Sequence, residues 1–498
     1  DSNNSSFKNI GAFLFFVETK NKSVILHLFS LNTKIMFDKN TYIQRRNALK
    51  KTVKDGILLF LGNNEAPMNY PSNTYHYRQD SHFIYFFGIQ LDHLAAVIDL
   101  DEDKEIIFGD NYTIDDIIWM GNQPTIEALA GQCGVTHTQS LANLINYLQK
   151  AQSSGRKIHY LPPYRDDNKI FLHHTLGIAF DALKQKASIE FIKGVVSLRE
   201  VKDDEELQEM EKACNLGVDM HMAAMRYCKV GKLERELSGM IEGIALSGGN
   251  GVSFPVILSQ NGETLHNHNH EQKLENGRML LVDAGAELKT GYSSDYTRSF
   301  PVSGRFTQKQ KEIYEIVLKA NLEAIAMAKP GLNYFDVHLH ATTIIAKGLT
   351  QLGLMKGNAE EAAKVGAHAL FMPHGLGHML GLDVHDMEDL GENYVGYTEY
   401  IQRSSIFGHG SLRCGKTLKK GFVLTVEPGI YFIPQLISIW EKENKFVEYI
   451  NYDKVKSYIG FGGIRIEDDI VITDTACRVI GRPLPKKVTE IESLMNLS

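Results

Sequence analysis

Four acidic residues lie at the ends of strand-like apolar segments and are the first candidates for chemistry. They are Asp283, Asp295, Glu427 and Glu467. Asp283 directly follows the apolar residues 279–282, and Glu427 directly follows residues 422–426. A carboxylate at the end of a buried strand needs a partner, because an unpaired charge in an apolar interior is costly. Acids in these positions therefore indicate a site that binds cations.

Asp283 and Asp295 can be related by the geometry of a hairpin. Their midpoint is residue 289, within Lys289-Thr290-Gly291, which is typical of a turn. A hairpin centred there makes the two aspartates cross-strand neighbours, with Cβ atoms about 5 Å apart. Carboxylates at that distance repel each other unless a proton or a cation lies between them. Considered alone, the pair is better explained as two ordinary turn aspartates.

Histidines are concentrated in residues 373–385, which contain His374, His378 and His385. The spacing of the first two is that of the ligands in a His-Glu-x-x-His helix, but position 375 is glycine, so the glutamate base of that motif is missing. The glycines also argue against a regular helix. Three histidines beside a glycine-rich turn nevertheless indicate a functional segment.

A second histidine segment, His266-x-His268-x-His270, could bind a metal by composition. A polar loop with one functional histidine is the simpler interpretation, and it applies to His268 and His270.

The acids and one histidine together suggest a pair of divalent ions. The candidate ligands are Asp283, Asp295, His378, Glu427 and Glu467. Four carboxylates and one imidazole form a ligand set too rich in oxygen for a structural zinc site, and too large for one small cation. Such a set suits two divalent ions such as Mn²⁺. Two metals about 3.5–4 Å apart can lower the pKa of a shared water, and one can polarise a carbonyl. The implied reaction is hydrolysis of an acyl bond.

The elements that must position these residues fall into two units with different patterns. Residues 37–190 combine short apolar strands, such as 57–61, with helical segments, such as 114–128, which indicates an α/β unit. Residues 200–490 mix long helices, such as 307–328, and strands without a regular strand–helix period, which indicates an α+β fold. Residues 1–36 are predicted to be a leader of unknown role, and Met36 is a hypothetical natural start.

Composition limits the partners. The chain has 498 residues, which predicts two to four domains at roughly 100–200 residues each. Its net charge of −7 gives no global attraction to nucleic acid or to an anionic membrane. The five cysteines form no Cys-x-x-Cys pair, and no apolar segment approaches the ~18 residues of a membrane helix. We therefore expect a cytoplasmic protein without nucleic-acid or membrane partners.

Six ordered motifs resemble the proline-specific metallopeptidases of the pita-bread fold, aminopeptidase P and prolidase. They are Val282-Asp-Ala-Gly-Ala-Glu287, Ser294-Asp-Tyr-Thr-Arg-Ser-Phe-Pro301, His374-Gly-Leu-Gly-His378, Leu380-Gly-Leu-Asp-Val-His385, Thr425-Val-Glu-Pro-Gly-Ile-Tyr431 and Gly463-Ile-Arg-Ile-Glu-Asp468. The resemblance covers residues 37–490. It implies a C-terminal pita-bread (creatinase/aminopeptidase) catalytic domain at 200–490, after a smaller α/β aminopeptidase P-like domain at 37–190 that contains Tyr77-Arg-Gln-Asp-Ser-His-Phe83.

The resemblance also implies how the site works. The five candidate ligands would hold two Mn²⁺ ions, with Asp295 and Glu467 bridging both. A hydroxide between the ions would attack the Xaa-Pro carbonyl, and Glu427 would carry its proton to the proline nitrogen. The further active-site residues would be His266, His374, His385 and Arg465. On a strand, Arg465 and Glu467 would point to the same face, so the guanidinium would keep the acid ionised.

The sequence leaves two activities open, with prolidase (Xaa-Pro dipeptidase) slightly favoured over Xaa-Pro aminopeptidase. Arg413 resembles a prolidase arginine that pairs with the dipeptide carboxylate, and about 30 residues between Tyr431 and Gly463 resemble a prolidase insertion. The spacing from His266 to Asp283 is more similar to aminopeptidase P. A non-catalytic peptide-binding module of the same fold is a remote alternative, because all five ligands are present. The resemblance further implies a homodimer or tetramer.

Overall fold

The computed structural model describes residues 36–496. The predicted leader therefore lies outside the described residues, apart from Met36. Within residues 36–496, no helix combines the length and the apolar composition that crossing a membrane would require.

The elements before residue 200 surround one five-stranded sheet. The strands of this part are β1 (Ile57–Leu61), β2 (Pro67–Tyr70), β3 (Asn73–Thr74), β4 (Ala95–Asp99), β5 (Lys104–Phe108), β6 (His137–Gln139) and β7 (Ile158–Tyr160). Its helices are α1 (Lys39–Leu49), α2 (Ser81–Phe87), α3 (Ile114–Met120), α4 (Ile126–Cys133), α5 (Ala142–Ser153), α6 (Asp166–Leu176) and α7 (Ile189–Arg199). The sheet order is β6-β5-β4-β1-β7, with three antiparallel central strands and a parallel strand at each edge.

Strand β4 is buried along its whole length, as expected for a strand that is covered on both faces. The single helical segment predicted over 114–128 is wrong, because the structure has two helices there. Gly121 ends α3 with a φ of 78°, a left-handed conformation that favours glycine. The hydroxyl of Thr125 then caps α4 by accepting from the backbone N–H of Ala128.

The elements after residue 200 mix long helices with small antiparallel sheets. The strands are β8 (Gly251–Val252), β9 (Ile257–Ser259), β10 (Met279–Ala284), β11 (Ala286–Glu287), β12 (Tyr296–Pro301), β13 (Val423–Val426), β14 (Gly429–Tyr431), β15 (Gly463–Arg465), β16 (Asp468–Ile472) and β17 (Cys477–Val479). The helices are α8 (Asp204–Tyr227), α9 (Glu234–Gly248), α10 (Gln308–Met327), α11 (Tyr334–Gln351), α12 (Ala359–Lys364), α13 (Glu392–Val395), α14 (Pro434–Lys442), α15 (Tyr452–Lys456) and α16 (Val488–Asn496).

Two three-stranded sheets, β12-β10-β9 and β13-β16-β17, meet where β12 contacts β16, and β15 of the pair β14-β15 packs against β10 and β12. Helix α8 packs against α9, and α10 packs against α11. This mixture is the predicted α+β arrangement. The start of α10 is set by the local sequence. The hydroxyl of Thr307 accepts from the backbone N–H of Gln310, and the side chain of Gln310 accepts from the backbone N–H of Thr307.

Candidate metal centre

The hairpin of β10 and β12 places two predicted acids on one face. Asp283 pairs with Thr297, and Asp295 lies two residues before Thr297. The aspartates are therefore diagonal neighbours, and the predicted midpoint at residue 289 is wrong, because the register of 283 with 297 is centred on residue 290. The turn itself sets this register, since Gly291, with a φ of 89°, donates its N–H to Leu288 O at 2.8 Å.

Glu467 and Glu427 approach the same face from other strands. The N–H of Glu467 donates to Thr297 O at 3.1 Å, and the Thr297 hydroxyl donates to Glu467 Oε2 at 2.6 Å. Glu427 lies between β13 and β14, and its N–H donates to Leu376 O at 2.8 Å. The chain between residues 373 and 378 is thus hydrogen-bonded to the connection between β13 and β14 that carries Glu427.

His378 faces the acids because its backbone runs beside β13. Its N–H donates to Thr425 Oγ1 at 3.2 Å, and a side chain at Gly377 would place a Cβ only 2.1 Å from Thr425 O. His378 Nδ1 donates to Met379 O at 3.0 Å, so Nε2 keeps its lone pair. That nitrogen lies 3.4 Å from Asp295 Oδ2 and 3.8 Å from Glu427 Oε1.

Within residues 36–496, the four acids of this cluster form an ion pair with one arginine, Arg465, which contacts Asp283. Burial raises the pKa of Asp295 and of Glu467 well above the ordinary range, and neighbouring carboxylates raise both further. Burial also raises the pKa of Glu427 to about 7, although the Arg465 guanidinium opposes that shift. Within residues 36–496, Asp283 Oδ1 and Asp295 Oδ1 are buried without a hydrogen-bond partner. Divalent ions would neutralise these acids and take up the unpaired oxygens, so the residues present fit such ions.

Arg465 contacts the cluster differently from our expectation. Its Nη2 donates to Asp283 Oδ2, and its Nε donates to Thr297 Oγ1 at 3.0 Å. The Thr297 hydroxyl donates to Glu467, so Arg465 reaches Glu467 through a threonine and not by the expected direct contact. The reason is that β15 ends at Arg465, and Glu467 turns to bridge Thr297 of β12.

His374 is held by protein groups at both ring nitrogens. Its Nδ1 donates to Gly375 O at 2.7 Å, and its Nε2 lies 3.0 Å from the Tyr431 hydroxyl. Burial, together with the charge of Arg465, lowers the pKa of His374 to about 3, so the neutral ring accepts a hydrogen bond from Tyr431. Tyr431 also accepts from Arg465 Nη1 at 2.8 Å, and sequence reasoning assigned it no role.

His385 and Arg413 share an acidic partner. His385 Nδ1 lies 2.6 Å from Glu388 Oε2, and its ring lies 4.2 Å from that of His378. Arg413 Nη1 donates to Glu388 Oε1 at 2.6 Å and to Glu392 Oε1 at 3.0 Å. The hydrogen bond from His385 and the charge of Arg413 lower the pKa of Glu388 to about 2, despite some burial. Neither glutamate was predicted from the sequence.

Two residues of the 266–270 segment, His266 and His268, line the same cavity as the four acids of the cluster. Burial lowers the pKa of His266, and the charge of Arg465 lowers it further. His268 and His270 donate from Nδ1 to Val256 O at 3.4 Å and to Leu258 O at 3.0 Å. These bonds agree with the simpler interpretation of a polar loop.

All ten predicted site residues line one cavity of about 550 Å³. They are His266, Asp283, Asp295, His374, His378, His385, Arg413, Glu427, Arg465 and Glu467. A larger cleft of about 1000 Å³ lies beside Lys193 and Tyr397, and none of the ten lines it. The smaller cavity is therefore the candidate site.

Asp469 is a buried acid that sequence reasoning missed. Its Oδ2 accepts from the N–H of Asp295 at 3.0 Å and from the Cys214 thiol at 3.3 Å. Burial raises its pKa well above the ordinary range. Its position two residues after Glu467 was the available signal.

The loop that carries His385 is held by three residues from before residue 200. We call Arg78, Ser81 and His82 the N-terminal clamp. Arg78 donates to Leu382 O at 2.5 Å, Ser81 Oγ donates to Asp383 Oδ1 at 2.6 Å, and His82 Nε2 lies 3.0 Å from Asp389 Oδ2. Sequence reasoning noted this segment only as part of a motif.

Two further cations support the same loop. Arg199 Nη2 lies 2.9 Å from Asp383 Oδ2 and 2.6 Å from Asp386 Oδ1, and Lys202 Nζ lies 2.7 Å from Asp386 Oδ2. Arg199, Lys202 and Asp386 are buried. Removing one partner from such a group leaves a buried charge unpaired, which costs about 3–5 kcal/mol.

Comparison with known proteins now identifies the family. Residues 208–474 match the description "Metallopeptidase family M24", and residues 42–159 match "Aminopeptidase P, N-terminal domain". The chain belongs to metallopeptidase family M24. The two matches agree with the predicted order of a smaller N-terminal domain followed by a C-terminal peptidase domain.

The relatives of this M24 peptidase include both predicted activities. The chain is 31% identical to Xaa-Pro dipeptidase from Homo sapiens, over 97% of this chain and 96% of that protein. It is 33% identical to "Probable Xaa-Pro aminopeptidase pepP" from Aspergillus niger, over 84% of this chain and 88% of that protein.

Solved structures of two bacterial enzymes resemble the M24 chain over most of its length. Aminopeptidase PepP of Pseudomonas aeruginosa matches with a TM-score of 0.75 and 27% identity, covering 93% of this chain and 99% of that one. Aminopeptidase P from E. coli with the inhibitor Pro-Leu matches with the same TM-score and coverage at 28% identity.

Proposed function

We propose that this M24 peptidase hydrolyses the Xaa-Pro bond of peptides or dipeptides at two divalent ions, Mn²⁺ in the cell. The proposed ligands are Asp283, Asp295, His378, Glu427 and Glu467. The observation that carries the proposal is their convergence at one cavity with buried, unpaired carboxylate oxygens. Two bound divalent ions would supply Lewis acidity and a water of lowered pKa.

The protein groups divide the remaining tasks. The side chain of Glu427 is 19% exposed, whereas those of Asp283, Asp295 and Glu467 are 10% exposed or less. We assign proton transfer from the attacking water to the proline nitrogen to Glu427, because it alone reaches the cavity surface to that extent. His385 donates from Nδ1 to Glu388, and in its doubly protonated form it would also donate from Nε2 to the developing oxyanion.

The other residues bind or position. His266 would contact the substrate from the cavity wall, and Arg465 and His374 would hold Asp283 and Tyr431 in place. The apolar wall includes Phe254, Ile257 and Leu265, which suits a proline ring. Proline has no amide N–H, so such a wall leaves no donor unpaired at that position.

We favour the dipeptidase over the aminopeptidase on one feature of the cavity. Arg413 lines it, and a guanidinium is suited to the carboxylate of a dipeptide. The human dipeptidase also matches over more of this chain than the Aspergillus aminopeptidase does. The Xaa-Pro aminopeptidase remains the second candidate, supported by the aminopeptidase P structures.

The deciding experiment compares Xaa-Pro dipeptides with Xaa-Pro-Yaa tripeptides, using purified protein and Mn²⁺. We expect cleavage of the dipeptides, and cleavage of tripeptides would establish the aminopeptidase instead. Asp295→Asn is the control and should abolish either activity. A protein that binds the metals and a peptide but cleaves neither substrate would overturn the proposal in favour of a binding module.

We also propose domains at 37–190 and 200–490, a homo-oligomer and a cytoplasmic location. Helix α3 supports association, because Ile118, Trp119 and Met120 are 69%, 84% and 62% exposed. All five cysteines are free thiols, which suits a reducing compartment. Light scattering of the purified protein tests the oligomer, and an Ile118→Glu variant should weaken it.

A further inference from the structure

Three histidines outside the proposed dimetal site form a second buried cluster. His338 lies on α11, His368 on the 3-10 turn Ala367–Leu370, and His409 on the turn His409–Ser411. They are 0%, 0% and 1% exposed. The centres of their rings lie 4.8–6.1 Å apart. One ring nitrogen from each histidine lies within 4.8 Å of a ring nitrogen of each of the other two. We call these residues the histidine cluster.

Hydrogen bonds determine where the lone pairs of the histidine cluster lie. Ala363 O accepts from His368 Nδ1 at 3.1 Å and from His409 Nε2 at 2.9 Å. The lone pairs are therefore on His368 Nε2 and His409 Nδ1, and the second of these accepts from His338 Nε2 at 2.9 Å. Within residues 36–496, His368 Nε2 and His338 Nδ1 are buried without a partner. An unsatisfied buried nitrogen costs about 1–3 kcal/mol, so these atoms require an explanation.

The surroundings favour neutral rings. Burial lowers the pKa of His338 well below its ordinary value, lowers that of His368 to about 3, and lowers that of His409 as well. In the described part of the chain, no aspartate or glutamate forms an ion pair with any of the three. The Phe335 ring lies 5.6 Å from the ring of His409. Neutral imidazole is the form that binds a metal.

We propose that the histidine cluster binds one structural Zn²⁺ through His338 Nε2, His368 Nε2 and His409 Nδ1, with a water in the fourth position. Tetrahedral zinc binds imidazole nitrogens at about 2.0–2.1 Å, which places neighbouring ligands about 3.3 Å apart. The 2.9 Å pair of His338 and His409 needs only a small separation to reach that distance. The proton between them moves to His338 Nδ1, so all three rings remain neutral. Imidazole ligands without carboxylates suit zinc better than the oxygen-preferring ions.

A zinc ion here would fix the floor of the candidate active site. His409 begins the turn that leads to Ser411 and Arg413, which line the cavity, and His368 lies six residues before His374. The ion would join both segments to α11. Because the ligands are sealed from solvent, we expect this zinc to resist chelators that remove the ions of the open cavity.

Metal analysis of a double variant tests the proposal independently of the proposed function. Asp295→Asn with Glu467→Gln removes two proposed ligands of the dimetal site, and elemental analysis after growth with Zn²⁺ and EDTA treatment should give one zinc per chain. Adding His368→Gln should lower the zinc content about tenfold, to about 0.1 zinc per chain or less. The control is His340→Gln, on the same helix as His338, and it should leave the zinc content unchanged. Retention of zinc in the His368→Gln protein, or none in its parent, would overturn the proposal.

Absorption spectroscopy covers the case in which His368→Gln does not fold. Zinc X-ray absorption of the Asp295→Asn, Glu467→Gln protein reads the ligands directly. Three imidazole nitrogens and one oxygen are expected. A zinc bound mainly by carboxylate oxygens would contradict the histidine cluster as its site.

Discussion

The acidic cluster at the cavity and the buried histidine cluster differ in the charge that their groups would carry when ionised. The first gathers four carboxylates around one imidazole and opens into about 550 Å³ of space. The second gathers three imidazoles without a carboxylate and is sealed. Burial favours the protonated acids of Asp295, Glu427 and Glu467 in the first cluster, and it favours the unprotonated rings of the second.

The difference shows which cluster depends on cations for charge balance. The acids repel one another, and Arg465 donates directly to only one of them, Asp283. Neutral imidazoles do not repel strongly, so the histidine cluster can be buried at the cost of two unpaired nitrogens. Metal in the first cluster would balance charge and perform chemistry, while metal in the second would only connect segments.

Replacing Glu427 should give the largest difference between the clusters. Glu427→Gln removes the proposed proton carrier, so kcat for Xaa-Pro cleavage should fall by about 10²–10⁴-fold. His368→Gln in the histidine cluster should retain most of the wild-type kcat at temperatures where it is folded. Steady-state kinetics at saturating Mn²⁺ measures both. Equal losses in the two variants would remove the functional distinction.

Arg465→Lys should have the next largest effect. Lysine keeps the charge but cannot bond Asp283, Thr297 and Tyr431 together, so Mn²⁺ affinity or kcat should fall by about 10–100-fold. Calorimetric titration with Mn²⁺ separates the two quantities. Arg305→Lys at the exposed surface is the matched control, and similar values for both variants would argue against a positioning role.

Arg413→Met tests the substrate end of the open cluster. Loss of a charged hydrogen bond to the dipeptide carboxylate costs about 1.5–3 kcal/mol, so KM for Xaa-Pro should rise at least about tenfold. The kcat should change less. Glu392→Gln, which keeps the guanidinium but removes one of its partners, is the control. An unchanged KM in Arg413→Met would shift the preference to the aminopeptidase.

The smallest expected effect is on the pH dependence of stability without metal. The folded-state pKa of Glu427 is raised to about 7, so its contribution to stability is present at low pH and is lost as pH rises toward 7. The histidine cluster acts in the opposite direction, because its lowered pKa values make stability rise with pH up to about 6.5.

Urea unfolding of EDTA-treated protein between pH 5 and pH 8 measures this balance. Glu427→Gln should reduce the loss of unfolding free energy at higher pH, and His368→Gln should reduce the gain below pH 6.5. Adding Mn²⁺ should stabilise the wild type most at pH 7 to 8. A Glu427→Gln profile identical to that of the wild type would place the raised pKa elsewhere.

The acidic cluster could be predicted from sequence because its residues lie in ordered motifs at strand ends. Asp283, Glu427 and Glu467 each follow or end a short apolar segment, and the structure brings them to one cavity. The centre of the hairpin was missed by one residue, and the partner of Asp283 therefore by two, because the position of the turn at Gly291 does not follow from the spacing of the aspartates. The roles of these residues stay predictions.

The contacts that sequence could not supply join residues distant in the chain. His338, His368 and His409 are 30 and 41 residues apart, and no periodicity relates them. The partner of Arg465 depended on where β15 ends, which strand alternation does not reveal. Ser81 and Asp383 are 302 residues apart and meet only through the packing of the two halves.

The N-terminal clamp has a consequence for how this chain can be recombined. Its three residues hold the loop that carries His385, so the part of the chain before residue 200 positions one lining residue of the candidate cavity without lining the cavity itself. In a chimera whose residues before 200 came from a relative, the side chains that contact Asp383 and Asp389 would be those of the relative. The two halves must therefore diverge together, and exchange between homologues is compatible only where these cross-domain pairs match.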